Sequence, residues 1–338
     1  MSTVFLGTSE FAATVLERLA GSAYRPALVL TRPDRPSGRG RRLTAPPVAE
    51  RARALGLPLE QPESVNDPGA RELIARAGGP GVSPSASGEG ERRTVVVCAY
   101  GALIKEPLLS EHEILNVHPS LLPRWRGAAP VERAIMAGDE RTGVSIMRLT
   151  AGLDSGPVCL AGEEPIRAED TYGSLSARLA ELGGGLLVQA LERSPRFVEQ
   201  PEDGVTYAEK ILPGDRLLDP RRPAVELERV VRALSPHVVA RVSLPGGAML
   251  SVHEARVIEA GPDAAPAPAP DRYPPQPPGE PLPAASQGEP SGPFVRDGRL
   301  LLACRPGELE LLVVQPAGGR AMDASDYLHG HDPQPGRR

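Results

Sequence analysis

The chain contains few aromatic residues and few cysteines. Phe, Trp and Tyr together make up 3% of its 338 residues, so its core must be built from Val, Leu, Ile and Ala. The three cysteines, Cys98, Cys159 and Cys304, are widely spaced, and none belongs to a CxxC pair. This argues against a disulfide framework or a zinc ribbon and is typical of a reducing compartment. We therefore expect a cytoplasmic protein with no metal site.

Long apolar runs and an excess of positive charge are also missing. No run of about 18 apolar residues occurs, so we expect no membrane span. The opening residues, MSTVFLGTSEF, lack the charged start and apolar centre of a signal peptide. The formal net charge of -5 excludes a uniformly basic nucleic-acid binder and leaves local basic patches for any such contact.

Proline and glycine, by contrast, are abundant. The 39 prolines and 36 glycines are too many for one compact fold. Residues 78–93 are rich in Gly, Ser and Glu, and residues 261–293 are Pro-rich with few large apolar side chains. Such segments bury too little apolar surface to offset the entropy lost on ordering. We predict two low-complexity insertions, the second of them a flexible loop between strands.

Strand-like and helix-like segments alternate through the first half of the chain. The strand-like runs cover residues 3–6, 26–30, 95–99 and 114–118, and the helix-like segments cover 11–19, 47–55, 70–77 and 131–137. This order predicts an α/β fold, a Rossmann-like, doubly wound and mostly parallel sheet with helices on both faces. In such sheets the ligand binds beyond the carboxyl ends of the strands, where the strand order reverses.

The second half follows a different pattern. One amphipathic helix, residues 223–233, is followed by ARVSLPGGAMLSV and LLACRPGELELLVV, each a strand, a Pro-Gly turn and a strand. Two such hairpins predict a small, OB-like antiparallel β-barrel. We place the first domain at residues 1–200, a linker at 201–213 and the barrel domain at 214–330.

Two polar side chains interrupt the strand in LNVHPSLLPRWRGAAP. Asn116 and His118 are two residues apart, so they share one face of the strand, and Pro119 ends it. By itself such a pair is most often a core histidine beside a turn-capping asparagine. The single tryptophan, Trp125, is expected to pack in the core or within the turn that follows, and a role at the mouth of a substrate pocket is the less favoured alternative.

A carboxylate follows in the glycine-rich loop TAGLDSGP. Asp154 comes after the apolar strand at 144–149. A carboxylate beside an imidazole fixes its tautomer and favours the imidazolium, and an asparagine amide can donate to a developing oxyanion. Because no reactive Ser or Cys lies among them, these residues suit acyl transfer to an external nucleophile without a covalent enzyme intermediate.

Longer motifs around these residues carry a family resemblance. NVHPSLLPRWRGAAP followed by ERTGVSIMRLTAGLDSGPV resembles the folate-dependent formyltransferases, and RWRGAAP is most similar to the branch that formylates methionyl-tRNA. VFLGTSEFAATVLERL, TRPDRPSGRGRRLTAPPV, VVVCAYGALI, TYAEKI and GGRAMDASDYLHGH resemble that family too. The resemblance covers nearly the whole chain except the two insertions. Lys105 departs from it, because the family often has Pro there.

The resemblance implies the substrates and the site. The donor would be 10-formyltetrahydrofolate, bound by the first domain, and the acceptor would be initiator methionyl-tRNA, bound with the help of the barrel domain. We expect a monomer with no membrane contact. The implied catalytic residues are Asn116, His118 and Asp154, and the implied folate-binding turn is Ser120, Leu121, Leu122 and Pro123.

An arginine-rich segment, TRPDRPSGRGRRL at residues 31–43, contains five Arg and one Asp. Alone, such a charge run is most often a solvated loop. Given the resemblance, we interpret it as an arm that contacts tRNA phosphates through Arg39, Arg41 and Arg42. Five basic residues of the second half are candidates for extending this surface: Lys210, Arg221, Arg222, Arg229 and Arg232.

Other functions remain open from the sequence. One is a formyltransferase for a small amine, such as a glycinamide ribonucleotide or an amino sugar, which would not need a second domain with basic residues. Another is a folate hydrolase or dehydrogenase relative, although no dehydrogenase domain follows. A third is a tRNA-binding protein built on an inactive transferase fold, which Asn116, His118 and Asp154 argue against.

Overall fold

The structure, a computed structural model, describes residues 2–37, 42–77, 93–258 and 292–331. It divides into two compact units. The first comprises Met1–Pro130, Arg141–Pro165 and Ser176–Ala208, and the second comprises Val131–Glu140, Ile166–Leu175 and Glu209–Arg338. Nearly all of both predicted insertions lies outside the described residues, as do Arg39 and Arg41. Only Arg93, which begins a strand, and the buried Gly292 and Pro293 belong to the described part.

The described residues of the first unit form eleven strands. They are β1 (Ser2–Gly7), β2 (Pro26–Leu30), β3 (Arg35–Ser37), β4 (Arg42–Thr44), β5 (Leu59–Glu60), β6 (Arg93–Cys98), β7 (Glu113–His118), β8 (Arg126–Gly127), β9 (Arg141–Arg148), β10 (Val158–Pro165) and β11 (Tyr207–Ala208). The helices up to the end of this unit are α1 (Glu10–Ala20), α2 (Pro47–Ala54), α3 (Pro68–Arg76), α4 (Leu108–Glu111), α5 (Pro130–Ala137) and α6 (Tyr172–Arg193). Most of α5 and the first turn of α6 are assigned to the second unit.

Seven strands form the main sheet of the first unit, in the order β10-β9-β7-β6-β1-β2-β5. The five strands from β7 to β5 are parallel, and β9 and β10 add an antiparallel edge. The chain builds outward from β1 in one direction through β2 and β5, and then in the other through β6 and β7. The order therefore reverses between β1 and β6, one strand from β7, and such sheets bind ligands at the carboxyl ends of the strands around this point.

The main sheet is covered on both faces, as the sequence predicts. Apolar residues of β1, β6 and β7 on one face pack with Ala70 and Ile74 of α3 and with Leu108 of α4. On the opposite face α6 approaches the sheet closely at Gly183, where an added Cβ would meet Val117 at 2.9 Å and Val144 at 3.3 Å. The doubly wound fold is therefore confirmed.

The second unit contains a separate antiparallel sheet. After a 3-10 turn (Pro213–Arg216) and α7 (Ala224–Leu234), the chain forms β12 (Ala240–Ser243), β13 (Met249–Ile258), β14 (Phe294–Arg296), β15 (Arg299–Ala303), β16 (Glu308–Pro316), β17 (Met322–Asp323) and α8 (Ala324–Gly330). The strand order is β12-β13-β16-β15-β14, with β17 paired to β16. The hairpins β12–β13 and β15–β16 confirm the two strand–turn–strand predictions.

The second insertion connects β13 to β14, and the last residue of β13 and the first residue of β14 lie at the same end of this sheet. Three antiparallel pairings separate the two strands, so the end of β13 and the start of β14 lie about 14 Å apart. A Gly-Ser linker of about eight residues reaches roughly 26 Å when extended, which is enough to bridge them.

We expect that replacing residues 261–291 with such a linker leaves folding and activity nearly unchanged, because loop length affects stability only weakly. Gly292 and Pro293 are retained because both are buried. Thermal melting and an assay of the formyl transfer that the family resemblance implies check this. An insoluble or inactive product would mean that the segment packs against the protein or takes part in its function.

Candidate active site

The strand β7 delivers two polar side chains to the centre of the first unit. Asn116 lies beside Val97 of β6, and His118 is the last residue of β7, one strand from the point where the strand order reverses. Asn116 is 8% exposed and His118 is 4% exposed. Since buried polar groups need partners, both side chains require hydrogen bonds from neighbouring segments.

Asp154 is the partner that both side chains share. The loop between β9 and β10 places its Oδ1 3.3 Å from Nδ2 of Asn116, which donates to it, and its Oδ2 3.7 Å from Nδ1 of His118. The backbone N–H of Gly127 also donates to Oδ2, at 3.0 Å. Asp154 has φ 43°, in the left-handed region that non-glycine residues seldom adopt. The structure thus brings together all three residues implied as catalytic.

The second imidazole nitrogen of His118 is held by the chain itself. Nε2 lies 2.9 Å from the carbonyl oxygen of Trp125. A carbonyl only accepts, so Nε2 carries the proton and Nδ1 is the nitrogen that faces Asp154. Trp125 is buried with φ 62°, and its backbone N–H donates to Oγ1 of Thr206 at 2.9 Å. The tryptophan packs within its turn, as predicted, and its carbonyl in addition orients the histidine.

The turn after Trp125 is held in place by β11, which lies in the segment predicted as a linker, residues 201–213. β8 pairs in parallel with β11, with Arg126 opposite Tyr207 and Gly127 opposite Ala208. Gly127 has φ 126°, and a Cβ there would lie 2.6 Å from the carbonyl oxygen of Ala208. Only glycine therefore fits this position, where the backbone N–H donates to Asp154.

The SLLP turn follows directly from His118. Ser120 is fully buried, and its hydroxyl donates to the carbonyl of Arg124 at 2.6 Å. Ser145 of β9 donates to the carbonyl of Ser120 at 2.8 Å and accepts from the N–H of Leu122 at 3.1 Å. Ser120 thus shapes the turn, while Leu121, Leu122 and Pro123 are half-buried and stay partly open.

Beside this turn lies an open groove of about 240 Å³. Leu122 lines one side, and residues of β10 and of the segment at 198–201 line the rest.

One lining residue, Cys159, is half-buried, and burial raises the pKa of its thiol to about 11. Burial likewise raises the pKa of Cys304 to about 12. Both remain thiols at neutral pH, which makes them poor nucleophiles.

Part of the arginine-rich arm is described. Residues 35–37 and 42–44 pair as the two-stranded ribbon β3–β4, and all three residues of β4, including Arg42, are exposed. Leu43 is 72% exposed. Arg39 and Arg41 fall between the two strands and lie outside the described residues. The described part of the ribbon is therefore accessible on the surface.

The basic residues of the second unit are partly neutralised within it. Arg221, Arg222 and Arg232 form ion pairs with Asp219, Glu226 and Glu228, respectively. All three pairs are partly exposed, so solvent screening reduces what each contributes to stability. They also reduce the positive charge that these three residues can offer to a phosphate.

Sequence reasoning misses three side chains that build the site. Ser145, Thr206 and Gln200 each hold a backbone segment of the site in place. Their hydrogen bonds to these segments join residues 23 or more positions apart in the chain. Local periodicity therefore carries no signal for them.

Comparisons with known proteins identify the family of both halves of the chain. The model of the family described as formyl transferase matches residues 1–191, and that of the formyl transferase C-terminal domain matches residues 210–332. The methionyl-tRNA formyltransferase of Halorhodospira halophila is 40% identical, with 98% of this chain and 97% of the relative covered. The enzyme of that name from Ruegeria pomeroyi is 39% identical, with the same shares covered.

A solved structure shows the same fold at low identity. The N-formyltransferase of Helicobacter canadensis, in complex with folinic acid and dTDP-3-aminofucose, has a TM-score of 0.60 and 12% identity. The match covers 92% of this chain and 98% of that protein. Identities near 40% over almost the whole length are the stronger finding, and they place this chain in a family. The chain belongs to the formyl transferase family, among the methionyl-tRNA formyltransferases.

Proposed function

We propose that this chain transfers the formyl group of 10-formyltetrahydrofolate to the α-amino group of methionyl-initiator-tRNA, and that it does so as a cytoplasmic monomer. The observation that carries the proposal is the cluster in which Asp154 lies 3.3 Å from the Asn116 amide and 3.7 Å from the His118 imidazole. Support also comes from the near-full-length relatives named methionyl-tRNA formyltransferase.

The cluster supplies the groups that formyl transfer requires. As the amine attacks the formyl carbon, negative charge develops on the formyl oxygen, and correctly placed donors stabilise it. The Asn116 amide has two N–H groups, and its contact with Asp154 is long, so it retains a donor for that oxygen. His118, with Nε2 committed to Trp125, presents Nδ1 on the side of Asp154.

The proton balance gives His118 a second role. The attacking amine loses a proton, and the leaving N10 of the folate gains one. Nδ1 can accept the first and return it to N10, directly or through a water, while Asp154 stabilises the intervening imidazolium. The trio would then work without a covalent enzyme intermediate, which is consistent with the protonated thiols of Cys159 and Cys304.

The SLLP turn fits the folate. Its backbone is fixed from inside by Ser120 and Ser145, and its three outer residues are half-buried beside the strand ends. A rigid, partly apolar turn next to a polar cluster is the usual composition of a small-molecule site. Folate supplies the formyl group, and Leu121, Leu122 and Pro123 would hold it against Asn116 and His118.

The two domains would divide the work. In this proposal residues 1–200 bind folate and carry out the chemistry, residues 201–213 connect the domains, and residues 214–330 help to bind the tRNA. The family models begin and end near these limits, at 1–191 and 210–332. The exposed ribbon β3–β4 would bring Arg39, Arg41 and Arg42 to the acceptor end.

Neutralising the arm is expected to weaken tRNA use and spare folate. Phosphate contacts release counterions, so each lost contact lowers the log–log salt slope of tRNA affinity by roughly 0.7 for single-stranded regions. The measurement is tRNA affinity against salt for Arg39→Ala, Arg41→Ala and Arg42→Ala, with the largest loss expected for Arg39→Ala. Folate titrations of each variant are the control. An unchanged slope in all three would leave the arm a solvated loop.

The proposed reaction is tested with a panel of acceptors. The protein is mixed with 10-formyltetrahydrofolate and, separately, methionyl-initiator-tRNA, a glycinamide ribonucleotide or an amino-sugar nucleotide, and kcat/KM is measured for each. The proposal requires formylmethionyl ester with the tRNA and a far lower kcat/KM with both small amines. Preference for a small amine would reassign the substrate, and no transfer to any acceptor would favour a non-catalytic tRNA-binding protein.

A further inference from the structure

Gln200 makes a set of polar contacts that the proposed chemistry does not use. It lies just after Val198, whose backbone pairs with Val158 of β10. Its Nε2 donates to the carbonyl of Asp154 at 2.8 Å and to the carbonyl of Gly156 at 2.7 Å. Its Oε1 accepts from Nε and Nη2 of Arg126, at 2.9 and 2.8 Å.

These four bonds fully satisfy the side-chain amide. Both N–H groups face carbonyl oxygens, which only accept, and both lone pairs of Oε1 face a guanidinium, which only donates. Rotating the amide by half a turn would place donor against donor and acceptor against acceptor. The orientation of Gln200 is therefore unique, and the side chain holds its two neighbours at a fixed separation.

The two neighbours are the two halves of the candidate active site. One is the loop that carries Asp154 in its left-handed conformation. The other is Arg126, which lies between Trp125, whose carbonyl holds His118, and Gly127, whose N–H holds Asp154. Gln200 thus ties the acidic loop to the turn that orients the histidine.

The charge of Gln200 matters as much as its shape. Arg126 needs an acceptor, and a carboxylate would provide one, but it would also place a negative charge near Asp154 and repel the two carbonyls. A neutral amide satisfies the cation and the carbonyls together. Among natural side chains of this length, glutamine alone has both capacities.

We propose that Gln200 is a positioning residue for formyl transfer, setting the separation of Asp154 from Asn116 and His118 without touching the substrates. This inference rests on the proposed function. Gln200 acts on the arrangement of the reacting groups. Losing its side-chain amide should therefore reduce kcat and leave the substrate-binding turn and the arm unchanged.

The test compares three variants of the full chain. Gln200→Glu keeps the acceptors and removes the donors, and Gln200→Met keeps similar volume and removes both. Gln189→Glu makes the same charge change at an exposed residue of α6 and serves as the control. Steady-state kcat and KM for folate and tRNA are measured, together with thermal melting.

We expect both Gln200 variants to lose about 10- to 100-fold in kcat, the scale of a small displacement of reacting groups. KM for both substrates and the melting temperature should stay close to wild type, and Gln189→Glu should behave as wild type in every measurement. Wild-type kcat in both variants overturns the inference. So does a loss confined to KM or to melting, since it would assign Gln200 to binding or to folding.

Failure of the proposed function is visible separately. The wild-type protein alone decides whether formyl transfer to the tRNA occurs, and a wild-type protein that does not formylate the tRNA overturns both proposals. An active wild type with unaffected Gln200 variants overturns only this one.

Discussion

Asn116→Ala and His118→Ala are each expected to lower the kcat of formyl transfer by about two orders of magnitude or more, the usual scale for removing an oxyanion donor and a general acid–base group, respectively. Both side chains are buried on one face of β7, and Asp154 contacts both. Asn116→Ala removes a donor for the developing oxyanion, and His118→Ala removes the group that moves the proton. Single-turnover kinetics with both substrates saturating measures the effect on the chemical step.

Folate binding serves as the internal control. The SLLP turn is held by Ser120 and Ser145, which neither substitution removes, so the folate dissociation constant should change far less than kcat. His329→Ala, at an exposed residue of α8, is the matched control and should leave kcat and the folate dissociation constant unchanged. Near wild-type turnover in either active-site variant would show that the centre lies elsewhere.

Gly127→Ala is expected to damage both stability and activity. Position 127 has φ 126°, and the new Cβ would lie 2.6 Å from the carbonyl oxygen of Ala208. Strain in the backbone and displacement of a packed neighbour together cost about 2–4 kcal/mol. Because the Gly127 N–H also holds Asp154, the displaced turn should lower kcat as well. Thermal melting and single-turnover rates measure the two effects.

Gly185→Ala is the matched control for that substitution. Gly185 lies within α6, and an added Cβ would meet nothing within 4 Å. Alanine in a helix is favoured over glycine by about 0.5–1 kcal/mol, so this variant should melt at or above the wild-type temperature. A Gly127→Ala protein that melts and reacts like wild type would contradict the role given to the β8–β11 pairing.

Much of the first sheet is predictable because its strands are short apolar runs between amphipathic helices. The strand predicted at residues 26–30 is β2, and the helix predicted at 47–55 is α2 with its end one residue earlier. Helix α6 is not predicted, since GGG at its centre disfavours a helix locally. Tertiary packing reverses that preference, because Gly183 allows the helix to approach Val117 and Val144.

The candidate site shows the same division between local and distant information. The shared face of Asn116 and His118 follows from strand periodicity alone. Their proximity to Asp154, which lies 38 residues after Asn116, follows only from the family resemblance and then from the folded loop. Gln200 and Thr206 are beyond sequence reasoning, because they act through backbone groups whose positions exist only in the fold.

The most direct measurement follows the formyl group itself. The formyl carbon of 10-formyltetrahydrofolate is labelled, and the wild-type protein and charged initiator tRNA are added and quenched during a single turnover. We expect the label to move from folate to the methionyl ester at matching rates, with none attached to the protein at any time. Label bound to the protein, or released as formate while the ester stays unlabelled, would contradict direct transfer at Asn116, His118 and Asp154.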